Sequence, residues 1–453
     1  MLNFFKQRTG TIQEQEEYQK FVRLGFIIGA IIGVYWIIVP TKEVVFFNTV
    51  GADYLPYAKV FSVFFLIPVL YFYSQLVDRC KRQNVFYSMC TFYGIGALIF
   101  SFFIMHNHYG LANTALSWTR MLGWLWYGFV ESFGVLMATY FWSFASDVST
   151  PESAKKGFTI LALGAQLGGF IGPVVMYYVA FSWGPGPIIG ITSIGMVGIA
   201  LLMNHFMRVT PQKTLEGFHG HAHHQKESQE KLLNNASLKK SKVGFFEGLR
   251  LIITQPYLRG IASIGMIWAL VSTVLEFYFK MQASTIYTQV NDLNQFLFLF
   301  AICMNAVSLG AILCGIGAFG RAFGLRKTLF FFPLLVLIAV FVVGISPTLF
   351  VSFMVLIITK GLNYVLHDPL KEQLYIPTSR ETKYKAKAWI DTFGFRGAKC
   401  VGSAVHMLRP VLQSSFVGVS SLICSLLIVG WMRAAWYVGK RHAKAIENDE
   451  QIC

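Results

Sequence analysis

Four charged residues lie inside or directly beside long apolar segments of this 453-residue chain: Lys42, Glu131, Glu276 and Lys371. A charge at the centre of a bilayer costs roughly 2.5–3.5 kcal/mol on insertion scales, so such a residue normally faces a protein interior, a partner charge or a water-filled path. Lysines attract a multiply anionic solute, and glutamates pair with those lysines or carry a proton. Structural ion pairs are the alternative, but the distribution over both halves of the chain favours a pathway for a charged solute.

The segments that carry these charges are typical of membrane helices. The chain is 55% hydrophobic and 13% charged, with a mean hydropathy of +0.54, which excludes an ordinary soluble domain. A membrane helix needs about 20 apolar residues. Twelve segments meet this requirement: 21–40, 55–77, 85–104, 119–145, 157–180, 187–207, 256–280, 293–318, 328–345, 347–366, 388–408 and 412–436.

The net charge of +16 is distributed between these segments rather than gathered in a basic stripe, so binding to nucleic acid is not predicted. Lysine and arginine occur in alternate loops, while the intervening loops HNHYGLANTALSW, FSWGPGP and GISPTL are free of both. By the positive-inside rule, both termini are expected in the cytoplasm.

The longest polar stretch, 208–250, separates six segments from six others. Short basic turns, SQLVDRCKRQN and GAFGRAFGLRK, occupy the same ordinal place in each half. We therefore predict an all-α integral membrane protein with twelve transmembrane helices in two six-helix halves, a major-facilitator-like fold whose binding site lies near the midplane. The predicted divisions are an N-terminal segment (1–20), a first half (21–207), a cytoplasmic linker (208–250), a second half (251–437) and a cytoplasmic tail (438–453).

Other classes of function have little support in the sequence. It contains no hydrolytic triad, phosphate-binding loop or nucleophile elbow, so neither an enzyme nor a cofactor is predicted. The seven cysteines are scattered without a C-x-x-C pair, which indicates neither a disulfide framework nor a zinc site. The tract HGHAHHQ, spanning His219 to His224, keeps open a divalent-metal transporter. The apolar segments lack His/Asp pairs that would pass a metal, so incidental metal affinity is the preferred interpretation.

Aromatic residues are dense beside the intramembrane charges. Tyr35 and Trp36 precede Lys42, and Trp142 follows Glu131. These three are candidates for stacking a base, which is worth about 1–3 kcal/mol in nucleic-acid binding. An interfacial aromatic belt is the competing interpretation.

Four stretches resemble motifs of the bacterial and plastidic ATP/ADP translocases, in the order that the family has them: PTKEVVFFNTVGADYLPYAKVF, VESFGVLMATYFWSFASDV, STVLEFYFK and HDPLKEQLYIPTSRETKYKAKAWIDTFGFRGAK. The last is the most specific, and the resemblance covers most of the chain. Departures such as Glu43 for the usual aspartate and Leu370 for the usual threonine identify a divergent member.

The resemblance implies nucleotide transport and assigns roles to the charged residues. Lys42 and Lys371 would handle phosphate charge, while Glu131 and Glu276 would set specificity or coupling. The matching motifs add Asp368, Lys280, Arg396 and Lys399 to the predicted transport site.

The leading hypothesis is exchange of ATP for ADP, or of related nucleotides, by alternating access. Proton-coupled nucleotide import is the alternative within the class. The polar, acidic N-terminus does not look like a transit peptide, so we expect a multi-pass protein of a bacterial inner membrane, with an intracellular bacterium as its source. The expected partners are nucleotides and the lipid bilayer, and the expected state is a monomer.

Overall fold

A computed structural model describes residues 12–80, 82–149, 151–215, 247–315, 323–379, 386–387, 389–448 and 450–452. The regular structure within these ranges is helical, apart from one isolated bridge between Thr378 and Ile452. Long helices are the expected outcome for apolar segments in a bilayer, because a helix satisfies all its backbone polar groups within one segment.

Seven helices precede residue 216 in the described ranges: α1 (Ile12–Thr49), α2 (Leu55–Arg79), α3 (Arg82–Met105), α4 (Met121–Asp147), α5 (Pro151–Trp183), α6 (Pro185–Val209) and the short α7 (Gln212–Leu215), which lies within the predicted linker. A 3₁₀ turn, Ala52–Tyr54, joins α1 to α2.

The α-helices after residue 246 in the described ranges are α8 (Glu247–Thr254), α9 (Pro256–Ile286), α10 (Val290–Leu313), α11 (Leu325–Ile345), α12 (Leu349–Leu362), α13 (Asp368–Gln373), α14 (Phe395–Met407), α15 (Arg409–Leu412) and α16 (Phe416–Glu447). Most of the predicted linker, residues 216–246, lies outside the described residues, as does the His219–His224 tract. The predicted divisions of the chain stay a prediction.

Eleven helices in the described ranges are long and apolar enough to cross a membrane. The prediction of an all-α membrane protein is therefore confirmed, but the count of twelve is not. The last candidate runs without a break from Phe395 to Glu447 by composition. The helix is nevertheless interrupted there, since α14 ends at Met407 and α16 begins at Phe416.

The chain forms two compact units. The first comprises residues 1–49, 65–240 and 290–302, and its core is built mainly from α1, α3, α4 and α6. Aromatic side chains fill much of that core, among them Trp126, Phe133 and Phe141, each no more than 1% exposed.

Helices α1 and α5 approach closely along a ridge of glycines in the first unit. Each helix has glycine at every fourth position, so three glycines of one face three of the other: Gly25, Gly29 and Gly33 on α1, and Gly164, Gly168 and Gly172 on α5. A Cβ atom added to Gly172 would lie 2.6 Å from the carbonyl oxygen of Gly33. Small residues at this spacing let two membrane helices pack backbone against backbone.

The second unit comprises residues 50–64, 241–289 and 303–453. Two π-helical turns interrupt the helices of the second unit: Asn363–His367 precedes α13, and Ile390–Gly394 precedes α14. Such turns occur frequently at functional sites because each inserts a residue that re-aims the side chains beyond it. Here the helices beyond them carry Lys371, Arg396 and Lys399.

Candidate functional site

Lys42 lies between two carboxylates in the first unit. Its Nζ atom is 2.6 Å from Oε1 of Glu131 on α4 and 3.3 Å from Oε1 of Glu43. The side chains of Lys42 and Glu43 are 5% and 1% exposed, while that of Glu131 is 26% exposed. Glu131 is thus the member of this group that solvent or a solute reaches first.

A tyrosine ring completes the surroundings of Lys42. The Nζ atom lies 4.4 Å from the ring centroid of Tyr127, which is fully buried one turn before Glu131 on the same helix. A cation placed over an aromatic face gains roughly 0.5–2 kcal/mol. The ring therefore helps to hold the ammonium where Glu131 can bind it.

The cluster around Glu276 lies in the second unit and brings lysines to one carboxylate. Oε1 of Glu276 lies 2.5 Å from Nζ of Lys280, one turn further along α9. Oε2 forms an ion pair with Nζ of Lys360 from α12. Lys59 of α2 also interacts electrostatically with Glu276. One carboxylate therefore forms ion pairs with lysines of α9 and α12 and interacts electrostatically with a lysine of α2.

Lys371 lies on the short helix α13 that follows the first π-helical turn. Its Nζ is 3.8 Å from Oδ1 of Asp368 and 4.3 Å from the ring centroid of Phe395. Asn363 donates a hydrogen bond of 2.9 Å to the other oxygen of Asp368, which holds that carboxylate in place. Gly265 of α9 makes room for this arrangement, because a Cβ there would lie 2.6 Å from Phe395.

The remaining predicted residues do not share one centre. Arg396 is half-buried and Lys399 is exposed, both on α14 immediately beyond Phe395. Tyr35 stacks on Phe133 with their centroids 6.5 Å apart. Tyr35 also contacts Trp36 edge-on, whereas Trp142 packs against Phe158 at 5.6 Å. Trp142 lies eleven residues beyond Glu131, about 16 Å along the helix, and belongs to the surroundings of the core.

Several residues of these clusters were not predicted as site residues, among them Lys360 and Tyr127. Lys360 lies in the same apolar run as Lys371, and its charge within that run was a signal that could have found it. Tyr127 lies four residues before Glu131, a spacing that places both on one face of a helix. The aromatic ring beside Lys42 could have been identified from that spacing.

The described residues contain no group of three or more His, Cys, Asp or Glu side chains placed to hold a metal ion. His367 is enclosed by the rings of Phe332, Trp268 and Trp431. His406 bonds through Nε2 to the carbonyl of Val274 at 2.8 Å. What the described side chains offer instead is buried ammonium groups held by carboxylates, an arrangement that can exchange its internal anions for those of a solute.

Comparison with known families finds that the model described as TLC ATP/ADP transporter matches residues 5–442. The chain is 24% identical to ADP,ATP carrier protein 1, chloroplastic, of Arabidopsis thaliana, over 92% of this chain and 73% of that protein. It is 21% identical to ADP,ATP carrier protein 4 of Rickettsia typhi over 97% of this chain and 94% of that protein. For ADP,ATP carrier protein 1 of Chlamydia trachomatis the identity is 22%, over 88% and 84%.

Among solved structures, the chain is similar to a D-xylose-proton symporter with a TM-score of 0.62 and 12% identity, over 92% of this chain and 97% of that one. It is also similar to a bacterial homologue of the human lysosomal transporter Spinster, with a TM-score of 0.57 and 13% identity, over 96% and 99%. At such identities the likeness shows the fold alone. The predicted major-facilitator-like architecture is confirmed.

Proposed function

Because this chain belongs to the TLC ATP/ADP transporter family, we propose that it exchanges ATP for ADP across a membrane by alternating access. The family is the one that the sequence motifs resemble, so that prediction is confirmed. The observation that carries the mechanism is the pairing of buried lysines with glutamates inside apolar helices.

In the proposed mechanism the lysines bind the nucleotide phosphates. ATP carries about one more negative charge than ADP, since each additional phosphate adds an ionised oxygen. Exchange therefore moves net charge across the membrane, and its rate responds to the membrane potential. The residues predicted to form the transport site are Lys42, Glu131, Glu276, Lys280, Asp368, Lys371, Arg396 and Lys399.

An obligate exchanger also needs an empty carrier that does not reorient. The pairs Lys42–Glu131 and Lys280–Glu276 supply such a barrier. In the absence of nucleotide, each lysine is held by its glutamate, and breaking a buried pair leaves an uncompensated charge. A bound nucleotide replaces the carboxylates and removes that cost.

The proposal extends to the setting of the protein. It is a multi-pass membrane protein, and we place it in a bacterial inner membrane with both termini in the cytoplasm, because the basic loops alternate and relatives occur in Rickettsia and Chlamydia. We further propose that it acts as a monomer and changes no covalent bond of the nucleotide.

The test is uptake of labelled ATP by proteoliposomes that are either empty or preloaded with ADP, each with and without a protonophore. We expect uptake only into ADP-loaded vesicles, unaffected by the protonophore when the membrane potential is held constant. Uptake into empty vesicles that stops with the protonophore would establish proton-coupled import instead. Absence of uptake for any nucleotide would overturn the proposed function.

A further inference from the structure

A cavity of about 290 Å³ lies in the second unit, between the last turns of α9, the end of α14 and the start of α16. Its wall includes Tyr278 of α9, His406 of α14, Arg409 of α15 and Phe416 of α16. None of the predicted transport residues lines it. Helix α9 begins next to the predicted cytoplasmic linker, so the cavity lies towards the end of that helix that is remote from the linker.

Arg409 supplies the positive charge of this cavity. Its Nη1 atom lies 2.7 Å from Sδ of Met281 and 3.8 Å from Oδ1 of Asp53. A thioether is a weak acceptor. The side chain of Asp53 is 88% exposed, and an exposed ion pair of this length contributes little. Neither contact involves Nε or Nη2, and a phosphate group can accept from both of these donors at once.

His406 adds a hydrogen-bond acceptor to the same wall. The residue is 4% exposed, and its ring packs between Phe277 and Phe416. Its Nε2 atom bonds to the carbonyl oxygen of Val274 at 2.8 Å. Because that oxygen only accepts, Nε2 carries the hydrogen of the neutral ring and Nδ1 is an acceptor. Nδ1 is buried and has no hydrogen-bond partner among the described residues. A ligand hydroxyl that enters the cavity can supply the missing donor.

Exposed apolar side chains flank the cavity. Ile286 ends α9, and Leu408 and Val411 lie on either side of Arg409 in the break between α14 and α16. All three are exposed, Val411 to 80%. At the end of a membrane helix, apolar side chains of this kind contact acyl chains, while an arginine places its charge at the level of the lipid headgroups.

We propose that this cavity binds an anionic phospholipid whose headgroup carries a hydroxyl group, as that of phosphatidylglycerol does. The lipid phosphate binds Arg409 in place of Asp53, and the headgroup hydroxyl donates to Nδ1 of His406. The acyl chains lie along Leu408 and Val411. The site differs from the predicted transport site, so the inference does not depend on the identity of the transported solute.

The experiment titrates the purified full-length protein in an uncharged detergent and measures the affinity of the first bound lipid by native mass spectrometry. The probes are phosphatidylglycerol, phosphatidylethanol, which has the same charge without the hydroxyl, and zwitterionic phosphatidylcholine. Phosphatidylglycerol should bind most tightly. Arg409→Gln should weaken its binding about tenfold or more, because charge-assisted hydrogen bonds are lost. Arg433→Gln is the matched control, since it removes an exposed arginine further along α16, and it should leave the affinity unchanged.

Two further variants separate lipid binding from a structural role of the same residues. Asp53→Asn removes the competing carboxylate, so the affinity for phosphatidylglycerol should rise, whereas a structural Asp53–Arg409 pair predicts the same loss from either substitution. His406→Phe removes the acceptor and should abolish the preference for phosphatidylglycerol over phosphatidylethanol.

Three results would overturn the inference. The first is an Arg409→Gln protein that binds phosphatidylglycerol as the wild type does. The second is an equal loss of affinity in Arg409→Gln and Arg433→Gln, which would indicate attraction to surface charge in general. The third is an Arg409→Gln protein that loses affinity for ATP and keeps its affinity for lipid, which would assign the cavity to a nucleotide phosphate.

Discussion

At the scale of single residues, Lys42 is held by groups of unequal accessibility. Glu43 and the ring of Tyr127 are buried beside it, while Glu131 keeps a quarter of its side chain exposed. The buried neighbours fix the position of the ammonium group. The exposed carboxylate is the partner that an incoming anion can replace.

Replacing Glu131 by glutamine should convert an exchanger into a carrier that leaks. Lys42 loses its 2.6 Å partner, and the ordered empty state is destabilised by about 3 kcal/mol, the low end for a buried pair because Glu131 is partly exposed. The measurement is ATP uptake into empty proteoliposomes, which should rise well above the wild-type level. Glu447→Gln, which alters an exposed carboxylate, should leave uptake unchanged. Strict exchange by Glu131→Gln would rule out the barrier assigned to this pair.

Lys42, Glu131 and Glu276 could be found from the sequence because a charged side chain in an apolar membrane segment has a high free-energy cost. That cost depends on the residues of the segment itself, which the sequence shows. Lys280 was added by the resemblance to the family motif, and it lies four residues after Glu276, on the same face of α9. Lys360 meets the same criterion, because it lies in an apolar run, but its pairing with Glu276, 84 positions earlier in the sequence, has no local signal. No local pattern reports which lysine of a run faces a distant glutamate.

At the scale of elements, the facing glycines of α1 and α5 fix the position of α1, the helix that carries Lys42. The run LGAQLGGFIG indicates close helix packing on its own. It does not identify the partner helix, because any helix with small residues at the same spacing would fit. The structure identifies α1, whose glycines recur with the same period of four.

Substituting Gly168 by alanine should destabilise the protein. The new Cβ would collide with the backbone carbonyl of Gly29, which cannot move away as a side chain can, so the cost is about 1–3 kcal/mol. Gly198→Ala in α6 is the control, since nothing lies within 4 Å of its added Cβ. Removing a helical glycine there should stabilise by up to about 1 kcal/mol. Thermal unfolding in detergent measures both, and equal shifts would contradict the close backbone approach at Gly168.

The π-helical turns are the elements that sequence periodicity did not predict. Each adds one residue to a helical turn, and the apolar pattern of a membrane span is too uniform to show that addition. Asn363–His367 precedes the helix of Lys371, and Ile390–Gly394 precedes that of Arg396. The orientation of these two cations therefore depends on features that only the structure reveals.

At the scale of the whole molecule, composition determines the class and the motifs determine the family. Apolar segments of membrane length predicted an all-α transporter fold, because a bilayer allows few alternatives. The count of segments was less secure, since Phe395–Glu447 counts as one candidate span by length and hydropathy although the helix is interrupted at 408–415.

The central claim is that the empty carrier cannot reorient and that nucleotide is moved only in exchange. Release of labelled ADP from loaded proteoliposomes, with and without ATP outside, tests it most directly. We predict that ADP stays inside until external ATP is added and then leaves in equal amount as ATP enters. Release of ADP into nucleotide-free buffer at a comparable rate would contradict exchange.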